Sequence, residues 1–120
     1  MSKLSIWSLA FVLVVAALGC GGAPKPEARI ASSQGAIRGA EEAGARGVPQ
    51  ATLHLKLAEE QRGQALEQVK KGDNHRADLL LARAEADAEL ALALSREATA
   101  KAEAQKAADE AEALQRRAAP

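Results

Sequence analysis

Three kinds of side chain in this 120-residue sequence could carry chemistry: one thiol, two imidazoles and a scatter of carboxylates. The thiol, Cys20, is the sole cysteine, and it stands where an apolar run gives way to a Gly/Pro/Lys stretch, VVAALGCGGAPKPEA (14–28). A thiol can act as a nucleophile or accept an acyl chain. Nucleophilic catalysis asks for a base within reach, and neither histidine lies near Cys20 in the chain. His54 and His75 fall at opposite ends of one expected helix, about 30 Å apart at 1.5 Å per residue, too far to share one metal. His75 with Asp73 and Asp78 is the best ligand grouping on offer, since positions 75 and 78 share a helix face, yet it reads as a solvated first turn rather than a closed site. The acidic pairs Glu41-Glu42, Glu59-Glu60 and Asp109-Glu110 point about 100° apart on a helix, with nothing apolar to bury them and raise a pKa. They are solvated faces. No phosphate loop, nucleophile elbow or zinc-ligand spacing appears. The expectation is a non-enzyme with no catalytic residue, no metal, no cofactor and no small-molecule substrate.

The setting of Cys20 suggests a different use. Lys3 gives a short positive start, and Leu4 to Leu18 is an apolar run of the length of a secretory signal. A membrane-spanning helix needs about 20 apolar residues, and this run gives way too soon. Ala17-Leu18-Gly19-Cys20 resembles the lipobox of bacterial lipoproteins, in which small residues precede an invariant cysteine. Leu is usual three residues before the cysteine and a small residue two before; here Ala17 and Leu18 occupy those places. The resemblance implies a signal peptide over 1–19, cleavage before Cys20, a diacylated Cys20 thiol and an acylated (palmitate-type) new amino group. Residues 20–26 then read as the lipidated Cys and a tether, flexible at Gly21-Gly22 and stiffened at Pro24 and Pro26. Gly rather than Asp after Cys20 favours the outer membrane under the common enterobacterial sorting rule.

Composition narrows the partners. Formal net charge is zero, and removal of 1–19 takes away one positive charge, Lys3. Basic residues are interspersed with acidic ones, the longest basic runs being the pairs Lys70-Lys71 and Arg116-Arg117, so the basic stripe that nucleic acid requires is missing. Trp7 and Phe11 are the only aromatics, and both lie in the N-terminal apolar run. Any core downstream must be built from Ala, Leu, Val and Ile, with little area buried per contact.

Those residues are arranged for helices. Gly47-Val48-Pro49 closes one pattern and opens another, and Gly72-Asp73 closes the second with a stop glycine and an N-cap aspartate. The expected fold is all-α: helices near 27–46, 49–71 and 73–116, packed up-down-up as an antiparallel three-helix bundle, or a helical hairpin, with a long C-terminal helix. Apolar and small residues recur at spacings of three and four. They are Ile30, Ser33, Ile37, Ala40 and Gly44 in the first helix, and Ala51, Leu55, Ala58, Ala65 and Val69 in the second, interrupted by Arg62. In the third they run Ala77, Leu81, Ala84, Ala88, Ala91, Ser95, Ala98 and Ala102. Leu53 and Leu57, on the other side of the second helix, suggest that it is the middle one. Beyond Ala102 the seam turns polar at Gln105 and Asp109, leaving open whether the tail projects, docks or frays.

AIRGAEEAGARGVP (36–49), LHLKLAEEQ (53–61) and KKGDNHRADLLLARAEADAELALALS (70–95) together resemble the alanine-rich domain of unknown function 4398. That family occurs in bacterial envelope lipoproteins, so the resemblance implies location and helical architecture and carries no functional residues. Two readings of function follow. The first is a lipid-anchored, non-catalytic structural or interaction module, facing the periplasm, whose partner is an envelope protein or a second copy of itself. The second is a spacer that binds peptidoglycan or another envelope polymer noncovalently.

Overall fold

The computed structural model describes residues 22–119, which form α-helices and one 3-10 turn without any strand. In chain order these are α1 (Glu27–Glu42), the turn Ala45–Gly47, α2 (Pro49–Lys70) and α3 (Asn74–Ala118). The protein is all-α, with three helices among the described residues.

Each boundary has a local cause. Pro26 precedes α1, whose fourth amide, Ile30 N–H, donates to the Pro26 carbonyl at 2.9 Å. Val48 is extended (φ −113°, ψ 113°), as a residue before proline prefers, and Pro49 opens α2 at a position where no amide hydrogen is needed. Thr52 Oγ1 donates to the Ala45 and Val48 carbonyls (2.9 and 3.0 Å), tying the 3-10 turn to the first turn of α2. At the far end of α2, Gly72 takes φ +80°, a backbone conformation open to glycine at little cost. Its amide donates to Val69 O and that of Asp73 to Gln68 O (both 3.0 Å), the paired bonds of a Schellman stop. Asp73 then caps α3 by accepting from Arg76 N–H at 3.1 Å.

The first helix is shorter than its sequence pattern suggests. It stops at Glu42, and Gly44, expected in the buried seam, is an exposed glycine at φ +83° whose amide donates to Glu41 O. Pro49 is the reason. With Val48 held extended and Pro49 committed to α2, the reversal must be made earlier, and Gly44 is the residue that can make it. Arg46, in the turn, bridges Glu41 of α1 and Glu59 of α2. Its hydrogen bond to Glu41, then the charge of Glu59, raise the guanidinium pKa above its ordinary value.

The order of packing also departs from expectation. The middle helix is α3, not α2: α1 and α2 each lie along α3 and touch one another far less. α1 runs parallel to α3, with Arg29 bonded to Asp78 (2.7 Å) and reaching Glu85 (3.5 Å), and Ile37 and Ala40 packed with Ala88 and Ala91. α2 returns antiparallel from the Gly72 turn and sets Ala51, Leu55 and Ala58 against the same alanines. Alanine explains the choice. Ala77, Ala84, Ala88 and Ala91 on α3 are wholly buried and leave room for two helices to approach one face closely. α2 keeps Leu53 58% exposed on the side it would have needed for α1. The two buried hydroxyls are satisfied within their own helices, Ser33 by Ile30 O and Ser95 by Ala91 O.

Ser95 is the last buried residue of α3. The helix continues to Ala118, so about 23 residues, or ~35 Å, run past the bundle as a single exposed helix. Glu97–Lys101, Lys106–Glu110 and Glu112–Arg116 line it at i,i+4. The Lys101 ammonium, bonded at 2.5 Å, holds the Glu97 carboxyl below its ordinary range.

Candidate functional site

Cys20, the expected signal over 1–19 and Gly21 of the expected tether lie outside the described residues. What is described is where the tether arrives. Ala23 O accepts from Asn74 Nδ2 at 2.7 Å, which fixes the entering chain against the start of α3. The segment 22–26 therefore joins at the Gly72 end of the bundle, and the free length of α3 leaves at the other.

At the tether end a cleft of about 450 Å³ opens among Lys25, Glu27, Arg29, Ser32, Asp78 and Glu85. Its charges are already spent on one another, Arg29 on Asp78 and Glu85, and Lys25 on Glu27. It offers a ligand no unpaired group. The His75, Asp73, Asp78 grouping is drawn apart in the same way: Asp73 caps the helix, Asp78 holds Arg29, and His75 is exposed. Among the described residues no three His, Cys, Asp or Glu side chains converge as metal ligands.

His54 does have a partner that spacing did not suggest. Its Nδ1 lies 2.9 Å from Asp87 Oδ1 on α3, and Gln61 Nε2 donates to Asp87 Oδ2 at 2.9 Å. A histidine oriented by a carboxylate recurs in catalytic triads, but among the described residues nothing hydrogen-bonds the other ring nitrogen. The trio is a polar clamp between α2 and α3. Asp87→Ala should leave Gln61 and His54 without their acceptor and cost about 1–2 kcal/mol, discounted for partial exposure. A thermal melt that does not move would remove the clamp from the account of stability.

The remaining surface is the outward face of α3. On the side turned away from α1 and α2, Leu79, Ala86, Leu90, Ala93, Ala100 and Ala104 follow the three-and-four spacing of a coiled-coil seam, and Ala107, Ala111, Leu114 and Ala118 continue it to the tip. Arg83 and Glu97 interrupt it. Every one of these residues is exposed, Leu79 by 52%, Leu90 by 43% and Leu114 by 64%. A single seam on α3, the buried one, was legible in the sequence; this second one was hidden because alanine at every second or third place satisfies several registers at once. The leucines at 79, 90 and 114 were the available signal. Among the described residues no helix is long and apolar enough to cross a membrane.

The family described as Domain of unknown function (DUF4398) matches residues 28–107, which takes in all three helices and the near half of the free arm. No curated protein and no solved structure matches the chain.

Proposed function

From the premise that this chain belongs to the family of the domain of unknown function DUF4398, we propose that it is a lipid-anchored protein of the bacterial cell envelope. On this reading it is a non-catalytic interaction module, attached through Cys20 to the outer membrane and facing the periplasm. The observation that supports the reading best is polarity of layout: the tether enters at one end of the bundle, beside Asn74, and ~35 Å of bare helix leaves the other. Such a layout suits a molecule fixed at one end and offering a surface at the other. The lipobox-like Ala17-Leu18-Gly19-Cys20 supports the anchor. A single myristoyl-length chain binds a bilayer marginally, whereas two or three chains at about 0.8 kcal/mol per buried CH₂ hold firmly.

The test is the mass and partitioning of the chain expressed in a Gram-negative host. Wild type should begin at Cys20, carry the added mass of its acyl chains and enter the detergent phase. Cys20→Ala should keep residues 1–19 and carry no acyl chain. An unacylated wild type, or acylation that survives Cys20→Ala, would overturn the anchor.

A further inference from the structure

The outward seam of α3 has the size pattern and the charge pattern to recognise its own copy. The geometry points to an antiparallel, two-fold pairing of two α3 helices, centred between Leu90 and Ala93, as the occupant of that face. This deepens the reading of the chain as an interaction module and rests on it, though not on the lipid anchor.

Size selects the register first. With Leu90 of one copy facing Ala93 of the second, Arg83 faces Ala100, Glu97 faces Ala86 and Leu79 faces Ala104. Each layer sets one long side chain over one alanine, the alternation that fills a helix interface without voids. Charge selects the same register. Glu89 and Arg96 flank the seam, both exposed and neither in an ion pair among the described residues. In this register Glu89 of each copy lies opposite Arg96 of the other, and Arg83 comes one layer from Glu97. Sliding by one heptad in either direction brings Glu89 onto Glu89 or Arg96 onto Arg96. A parallel in-register pair is worse: it stacks Arg83 on Arg83 and Glu97 on Glu97, and sets Arg96 beside Lys101. The pairing is isologous, so it closes at two copies. Nothing blocks it, because α1 and α2 occupy the opposite face of α3 and the seam residues from Leu79 to Ala104 are all exposed.

The experiment places a photoreactive amino acid at Ala100 in the full chain, in cells. The expected product is a homodimer joined to the peptide 77–83 of the second copy, which lies about 25 Å away along the same helix and so is beyond reach within one chain. An adduct on 97–101 would show a parallel pair and overturn the proposal. An adduct with another protein alone, or none at either Ala100 or Ala104, would also overturn it. Glu89→Arg or Arg96→Glu alone should lower the dimer yield roughly tenfold or more, and the two together should restore it. All four positions are exposed, so the variants keep the bundle. The adduct should persist in Cys20→Ala, and acyl mass read from the same cells separates failure of pairing from failure of anchoring.

Discussion

Leu55→Ala should lower the stability of the bundle by about 3 kcal/mol, within the ~2–5 kcal/mol found for buried leucines. Leu55 and Leu81 are the only wholly buried leucines described, and the rest of the interior is mostly alanine. Leu55 belongs to one buried cluster with Ile37 and Ala40 of α1 and Ala88 and Ala91 of α3. Those alanines have no side-chain reach with which to collapse into the cavity, so the cost should not drop to the bottom of the range. A domain of this size holds roughly 4–11 kcal/mol in all, and the melting temperature should fall by about 12–24 °C. No aromatic residue lies in the bundle to report unfolding by fluorescence, so far-UV circular dichroism and amide exchange on α2 are the readouts. A loss under ~1 kcal/mol would mean that the helices close up around the deletion and that the alanine seam is more compliant than its packing implies.

Ala88→Asp should go further and abolish the bundle at neutral pH. Ala88 is wholly buried where α1 and α2 both meet α3, and a carboxylate there would be ionised within a cluster of alanine, leucine and isoleucine side chains. Uncompensated burial of that kind costs several kcal/mol, comparable to the whole stability. The sign of the pH dependence is fixed. Burial raises the folded-state pKa of the introduced carboxyl above its unfolded value, so the folded form binds the extra proton. Stability of the variant relative to wild type should therefore recover as pH falls below that raised pKa and be lost as pH rises through it. Ala104→Asp, made on the exposed arm, should change the melt of the single, unpaired bundle by less than ~0.5 kcal/mol. Equal effects at 88 and 104 would contradict the division of α3 into a packed half and a free one.

That division was partly legible. The recurrence Ala77, Leu81, Ala84, Ala88, Ala91, Ser95, Ala98, Ala102 marks one face because residues three and four apart share one side of a helix; the first six are buried, whereas Ala98 is half-buried and Ala102 exposed, past the last turn that α1 and α2 cover. Gly72-Asp73 was legible as a stop and a cap because glycine tolerates a left-handed backbone and aspartate accepts from a helix amide. Gly44 was not, since a glycine serves equally as a small seam residue or as a terminator; the demand of Pro49 for an extended predecessor decided it. Nor did Leu53 and Leu57 reveal which helix lies in the middle. Alanine on α3 admits two neighbours, and only three-dimensional packing shows that both took the same face. His54 and Asp87 are 33 positions apart, and no local pattern joins residues that meet only across a helix interface.

The opposed placement of tether and arm has a mechanical consequence. α1 carries the tether at its first turn, and α3, which runs parallel to it, carries the arm at its last. Tension between the two draws α1 and α3 in opposite senses along their common axis. The load is then shear, shared at once by Arg29 with Asp78, Ile37 and Ala40 with the alanines of α3, and the Ala23–Asn74 bond. Pulled instead at the arm and at the turn around Gly44, the same helices would unzip, their contacts breaking in sequence. Under a load along the helix axes these contacts would thus act together, and under a load across them one after another.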